Sequence, residues 1–136
     1  MNVLLSIKPK YVDEILNGTK KYEFRKVVFK NTEERVRVFI YSSAPVKKVV
    51  ASFLVEKIIQ DHPQQVWERF KGFAGVQEGE FFSYFGEREN GFAIKIKDLE
   101  VFATPLDPKK AIEGFSPPQS FCYLRTELDE LMDCGS

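Results

Sequence analysis

The polar residues whose types and spacing suit chemistry are concentrated in the first 25 positions. Lys8 follows a short apolar run, and Lys20, Glu23 and Arg25 follow closely after Gly18. Cations beside one carboxylate can hold an anion through charge-assisted hydrogen bonds, while the carboxylate accepts from a base edge or carries a proton. Arg25 suits a planar, two-pronged contact, and Lys20 acts as a point charge or, when desolvated, as a base. The spacing indicates a small anion-binding site.

The same charges have a second interpretation that involves no ligand. Tyr22 and Phe24 alternate with Lys21, Glu23 and Arg25, as expected of a half-exposed strand that buries its aromatic side chains. On such a strand Glu23 would only pair with Arg25 or Lys21 across the surface. Spacing alone leaves both interpretations open.

Three elements must position these residues. The apolar run Asn2–Ile7 predicts a buried strand. Pro9–Asn17 predicts a helix, because proline suits a first turn, apolar residues recur at helical spacing, and Gly18 follows as a C-cap. Lys21–Lys26 predicts a second strand. A helix that folds back over a barrel mouth would bring the charged ends of both strands together.

The remainder of the chain predicts short strands joined by small helices, without the long crossover helices of a parallel sheet. Helices are expected to begin near Asp61-His62-Pro63 and Asp107-Pro108, and Phe81–Phe85 predicts a short helix or a turn before Gly86. The predicted strands are Arg35–Tyr41, Val49–Ile59, Gly91–Lys97 and Leu99–Pro105, the last two joined by a tight Lys97-Asp98 turn. The pattern predicts an α+β fold: a small mixed β-barrel of about five or six strands with short helices packed around it.

Length and composition exclude several classes of protein. The 136 residues fit one domain, which we expect over residues 1–126, followed by an acidic tail over residues 127–136. The chain has no apolar run long enough to span a membrane and no signal-peptide pattern. One His and two Cys outside any CxxC argue against a zinc site. We expect a cytoplasmic protein that uses no metal and no cofactor.

The formal net charge of zero is an average over two unlike halves. Residues 1–57 carry 12 Lys and Arg against 6 Asp and Glu, a net +6, whereas residues 58–136 carry 8 against 14. A neutral total excludes an indiscriminate polyanion binder. The basic half contains the candidate site, so the distribution still allows a local basic cleft.

The run Ser6–Lys26 resembles the opening of an ASCH domain, a branch of the PUA-like barrel group. The ASCH pattern GxKxxExR is met by Gly18, Lys20, Glu23 and Arg25. Further similar pieces are Val38–Ser42, Val49–Val55, Trp67, Phe81–Phe85, Gly91–Ile96 and Pro117–Phe121. The resemblance covers nearly the whole chain and implies a barrel of five or six strands with a cleft between barrel and helices.

The resemblance also implies what the cleft does. In the family, the motif Lys, Glu and Arg line a site proposed to bind RNA or a nucleoside. The positions carried over as ligand-binding candidates are Lys8, Lys20, Glu23, Arg25, Tyr41 and Ser42. Our main hypothesis is therefore an RNA- or nucleotide-binding domain that uses a basic cleft.

Two alternatives accompany this hypothesis. Some small ASCH proteins are amidohydrolases that act on acetylcytidine with a Thr nucleophile, the motif Lys as base and a Glu. Here Glu23 occupies the Thr position, so an amidohydrolase would need Ser42, Ser43 or a water as nucleophile. For this enzyme, or for a hydrolase of RNA, the catalytic candidates are Lys20 and Glu23. The third hypothesis is a protein-interaction barrel in which the motif is only a salt-bridged strand start. The oligomeric state is not predicted.

Overall fold

The computed structural model describes residues 2–30 and 35–124. Within them the chain forms six strands, four short α-helices and one turn of 3-10 helix at Lys71–Phe73. In chain order the elements are β1 (Asn2–Ile7), α1 (Pro9–Leu16), β2 (Tyr22–Arg25), β3 (Arg37–Ser42), β4 (Lys48–Asp61), α2 (Pro63–Phe70), α3 (Glu78–Phe85), β5 (Gly91–Leu106), α4 (Pro108–Ala111) and β6 (Phe121–Leu124). None of the helices in this part of the chain is long and apolar enough to cross a membrane.

All six strands belong to one sheet with the order β2-β5-β4-β3-β1-β6. β1 and β3 pair in parallel, and the other neighbouring strands are antiparallel. The sheet curls into a half-barrel whose inner face carries the main core, including Val3, Leu5, Val38, Ile40 and Phe53. The predicted α+β fold with a mixed, barrel-like sheet is confirmed.

Strand β5 corrects one prediction. The chain does not turn back at Lys97-Asp98 but continues as one strand along β4, with Lys97 opposite Leu54 and Glu100 opposite Ser52. Asp98 has a positive φ of 49°, and the register with β4 shifts beside it, which is the mark of a β-bulge. Two polar residues between apolar runs, such as Lys97 and Asp98, are compatible with a turn or with a bulge. The bulge forms because β4 is long enough to pair with β5 on both sides of Asp98.

Because two of the six predicted strands are the single strand β5, the sixth strand of the sheet is β6, which was not predicted. It pairs antiparallel with β1, from Leu5 opposite Phe121 to Asn2 opposite Leu124. Its four residues are all apolar and show no alternation, so periodicity does not distinguish them from a buried loop. The predicted acidic tail and its boundary at residue 126 lie outside the described residues.

Helix α1 forms as predicted. Pro9 begins it, Asn17 caps its C-terminus, and Gly18 follows with a φ of 87°, a conformation in which glycine has no steric penalty. Val12 and Ile15 are buried in the main core. Their burial fixes α1 over the sheet and directs the chain into β2.

A second, aromatic core holds β2 in place. Tyr22 stacks on Phe70 with ring centroids 4.2 Å apart, and Phe24 meets Phe81 edge-on at 5.0 Å. Trp67 also packs on Phe81. These contacts join α2 and α3 to the strand that carries the motif residues, and α3 forms one wall of the site.

Candidate functional site

A cleft of about 1080 Å³ opens where the carboxyl ends of the parallel strands β1 and β3 meet β2, α1, α3 and the loop before β6. Parallel pairing places Ser6 opposite Tyr41 at this edge. The cleft has cations from several elements in its lining: Lys8, Lys10, Lys20, Arg25, Lys26, Lys47 and Arg88. Two carboxylates, Glu23 and Glu80, also line it.

The three charged motif residues form a buried cluster on one side of the cleft. Glu23 Oε1 lies 3.5 Å from Lys20 Nζ, and Glu23 Oε2 lies 3.4 Å from Arg25 Nη1. Their side chains are only 3%, 6% and 12% exposed for Lys20, Glu23 and Arg25. The ligand-free interpretation expects Glu23 to pair with Arg25 or Lys21 across an exposed surface. The pair with Arg25 forms, but Glu23 is buried, so the surface expected to be exposed is covered.

Lys20 is held in this cluster by a loop far along the chain. Its ammonium donates to the Ala74 carbonyl over 2.8 Å and lies 4.5 Å from the centroid of the Phe24 ring. Gly75 follows with a φ of 60°, and a Cβ there would clash with the Cβ of Lys20. Only glycine permits this approach.

Burial lowers the pKa of Lys20 below its ordinary value, since the low-dielectric surroundings disfavour the ammonium form. The charge of Glu23 acts in the opposite direction and offsets part of this effect. A lysine with a lowered pKa is closer to acting as a base, although its hydrogen bond to Ala74 directs one donor into the protein.

Arg25 joins the edge strand β2 to the opposite side of the cleft. Its Nη2 donates to the carbonyl oxygens of Ser6 and Ser120 over 3.2 and 2.9 Å. Its buried Nε has no hydrogen-bond partner among the described residues. The sequence predicts a two-pronged contact between this guanidinium and a ligand. In the structure Nη2 donates to backbone carbonyls, and its hydrogen bond to Ser120 positions the loop before β6.

A second ionic group bridges α1 and α3. Lys10 Nζ donates to Glu80 Oε1 over 2.7 Å, and the Tyr11 hydroxyl donates to Glu80 Oε2 over 2.6 Å. Burial, and then the hydrogen bond to Glu80, raise the pKa of Tyr11 to about 12. The hydrogen bonds from Lys10 and Tyr11 lower the pKa of Glu80. Both carboxylates of the cleft are therefore already paired with cations.

Three exposed cations that line the cleft, which we call the rim cations, have no carboxylate partner among the described residues. Lys8, Lys47 and Arg88 are exposed, and none of them makes an ion pair within residues 2–30 and 35–124. Lys26 lines the same cleft, with its ammonium 4.7 Å from the centroid of the Tyr84 ring. The rim therefore carries net positive charge that faces the opening.

The structure gathers most of the residues predicted from the sequence. The candidates that line the cleft are Lys8, Lys20, Glu23, Arg25 and Tyr41. Tyr41 is 1% exposed and packs on Phe115. Ser42 is buried and does not line the cleft, because it follows Tyr41 on β3 and successive residues of a strand point to opposite faces. Ser43, in the turn after β3, does line it.

Sequence reasoning missed several residues of the cleft, namely Lys26, Lys47, Tyr84, Arg88 and Ser120. The basic excess of the first half is the signal that includes Lys26 and Lys47. Ser120 lies in the segment Pro117–Phe121 that carried part of the resemblance. Tyr84 lies in the segment Phe81–Phe85 that also carried part of the resemblance. No local pattern predicts that Tyr84 or Arg88 lines the cleft, since this depends on the packing of α3 on β2.

The described residues contain no group of three or more His, Cys, Asp or Glu side chains that could hold a metal ion. The candidate chemistry of the cleft therefore rests on its lysine, arginine, tyrosine and serine side chains and on the two paired carboxylates.

Comparison with known proteins gives consistent matches along the chain. Residues 1–114 match the family described as Domain of unknown function (DUF365). A Zymomonas mobilis protein named ASCH domain-containing ribonuclease is 31% identical over 126 residues, which span 91% of this chain and 84% of the relative.

Solved structures agree with this match. The crystal structure of ASCH from Zymomonas mobilis superposes with a TM-score of 0.88 at 27% identity, covering 98% of this chain and 94% of that one. The N-terminal domain of Staphylothermus marinus McrB has a TM-score of 0.63 at 10% identity, covering 99% and 94%, a likeness of fold alone.

Proposed function

This chain is an ASCH domain protein that belongs to the family DUF365, and we propose that it binds single-stranded RNA in the cleft beside Lys20, Glu23 and Arg25. The observation that carries the proposal is the charge of the cleft. Cations outnumber carboxylates in its lining, and Glu23 and Glu80 are each paired within the protein. The remaining positive charge suits phosphates.

The residues divide into two roles under this proposal. Lys8, Lys47 and Arg88 stand at the rim, where flexible cations contact phosphates and fix the strand without reading its sequence. Lys20, Glu23 and Arg25 lie below them as a rigid polar surface. A cleft with this depth and mixed polarity favours an unpaired nucleotide over a duplex, because paired bases cannot enter it.

Fluorescence anisotropy with a labelled single-stranded RNA, measured over a series of salt concentrations, tests the proposal. The double variant Lys8→Gln/Lys47→Gln is expected to bind about tenfold more weakly and to reduce the salt slope by about 1.4, since single strands lose about 0.7 per phosphate contact. The control Lys57→Gln/Lys109→Gln removes the same charge from exposed positions outside the cleft and should bind as the wild type does.

Absence of wild-type binding at low salt, or equal losses in the two double variants, would contradict an RNA-binding cleft. Free nucleotides added as competitors distinguish a site for one nucleotide from a site that needs a longer strand. Displacement by a mononucleotide at low concentration would indicate the smaller ligand.

Cleavage of the bound RNA is a second candidate function. It is favoured by the name of the Zymomonas mobilis relative and by the lowered pKa of Lys20 in the cleft wall. A denaturing gel of the same binding mixtures decides between the two functions. RNA that stays intact while bound supports binding alone, and fragments that appear with wild-type protein but not with Lys8→Gln/Lys47→Gln support a ribonuclease.

A further inference from the structure

The side chain of Tyr84, in the last turn of α3, is an exposed aromatic surface on the rim of the cleft. It is 40% exposed, yet both parts of the side chain are anchored. Its hydroxyl accepts a hydrogen bond from the Lys26 backbone N–H over 3.2 Å, and its ring packs edge-on against buried Phe85 with centroids 4.9 Å apart. The ring is therefore presented to solvent in a fixed orientation.

The surroundings of this ring combine apolar surface with positive charge. Val27 is 50% exposed and lines the same cleft. The Lys26 ammonium lies over the ring, 4.7 Å from its centroid, and Arg88, three residues beyond the end of α3, also lines the cleft. An anchored aromatic face with cations beside it matches the requirements of a base and its neighbouring phosphate.

We propose that the ring of Tyr84 forms a stacking subsite for one unpaired nucleobase. The proposal rests on the proposed RNA-binding function and deepens it, because it assigns the choice of single-stranded over double-stranded RNA to one side chain. In a duplex each base is stacked and paired, so its face cannot reach the ring. Stacking on an aromatic ring tolerates any base, so this subsite selects unpaired strands without selecting sequence.

Tyr123 provides a matched control within the same chain. It is 48% exposed, and its hydroxyl accepts from the Lys30 backbone N–H over 3.0 Å, so its environment resembles that of Tyr84. It does not line the cleft. A general effect of removing an exposed, anchored tyrosine must appear at both positions, whereas loss of a stacking subsite appears only at Tyr84.

The first test measures the affinity of a labelled single-stranded RNA for Tyr84→Leu, Tyr84→Phe and Tyr123→Leu. Tyr84→Leu should bind about tenfold more weakly, because loss of one base-stacking contact has about this effect. Tyr84→Phe keeps the ring and should stay within about threefold of wild type. Tyr123→Leu should not change the affinity, and circular dichroism verifies that each variant is folded.

A second test needs no variant and therefore does not depend on folding of Tyr84→Leu. RNA that contains 2-aminopurine at successive positions should lose fluorescence at one position when it binds, because stacking on tyrosine quenches the base. An abasic nucleotide at that position should lower the affinity of wild type about tenfold and leave that of Tyr84→Leu unchanged.

The outcomes separate this inference from the proposed function. Salt-sensitive binding that weakens in Lys8→Gln/Lys47→Gln but not in Tyr84→Leu, with no quenched position, overturns the stacking subsite and leaves the RNA-binding cleft intact. Equal weakening in Tyr84→Leu and Tyr123→Leu overturns it as well. Absence of any RNA binding by wild type overturns both proposals.

Discussion

At the scale of single residues, the ASCH motif of this protein is a buried ionic cluster more than an exposed row of ligands. Glu23 lies between Lys20 and Arg25, and each cation also donates to backbone carbonyls. Buried charges require partners of this kind, because an unpaired ion in a low-dielectric interior is costly. The cluster therefore shapes and rigidifies the cleft that the rim cations surround.

The substitution Lys20→Met tests this interpretation through stability. We expect the free energy of unfolding to fall by about 3 kcal/mol, since the change leaves Glu23 buried with Arg25 as its remaining charged partner. Urea denaturation followed by circular dichroism measures the loss. The neighbouring Lys21→Met removes an exposed ammonium and should change the value by no more than about 0.5 kcal/mol. Equal stability of the two variants would show that the cluster does not stabilise the fold.

At the scale of elements, the cleft is bounded by helices that are joined to each other through one carboxylate. Glu80 on α3 accepts from Lys10 and Tyr11 on α1, and the aromatic core fixes α3 to β2. Arg25 connects β2 in turn to the loop before β6. The walls of the cleft are therefore linked by side chains as well as by the sheet.

The bridge through Glu80 predicts an acid-dependent loss of stability. Its pKa is lowered in the folded protein, so the unfolded chain binds a proton at a higher pH than the folded chain does. The stabilisation is thus complete above the ordinary glutamate pKa and is lost as pH falls through the lowered value. Melting temperatures between about pH 6 and about pH 3 should therefore fall more steeply for wild type than for Glu80→Gln.

Glu78→Gln is the control for that measurement, since Glu78 is an exposed carboxylate on the same helix without an ion pair among the described residues. It should retain the acid sensitivity of wild type. If Glu80→Gln shows the same pH profile as Glu78→Gln, the contacts from Lys10 and Tyr11 do not stabilise the folded state.

At the scale of the whole molecule, the net charge is zero, but the fold places cations together in the lining of the cleft. Apart from Arg88, the cations that line the cleft lie between Lys8 and Lys47, within the basic half of the chain. The second half contributes the covering helices and the loop at residues 74–75, which packs on Lys20. A neutral protein thereby presents a cationic cleft.

Because of the contact between that loop and Lys20, we expect a substitution by alanine to destabilise the protein at Gly75 but not at nearby Gly72. Gly75→Ala should lower the free energy of unfolding by about 3 kcal/mol, because it combines an unfavourable positive φ with a clash against Lys20. Gly72→Ala meets nothing within 4 Å and should leave stability within about 0.5 kcal/mol of wild type. Chemical denaturation of both variants checks this, and similar values for the two would contradict the packing of residue 75 on residue 20.

Features that depend on neighbours in the chain were predictable. Pro9 and Gly18 delimit α1, and apolar runs located β1, β3 and β4, because such signals act within a few residues. The spacing of Lys20, Glu23 and Arg25, together with the resemblance, located one wall of the cleft. Their roles in ligand binding remain predictions that the experiments above address.

The sequence by itself thus determined the family, the kind of fold and the basic half of the chain. Only the tertiary structure decided that Lys97-Asp98 is a bulge, that Glu23 is buried, and that Tyr84 reaches the cleft. The physical reason is common to all three. Whether a strand continues, a charge is covered or a ring faces a cleft depends on what packs against it from distant positions, and local patterns carry no information about that partner.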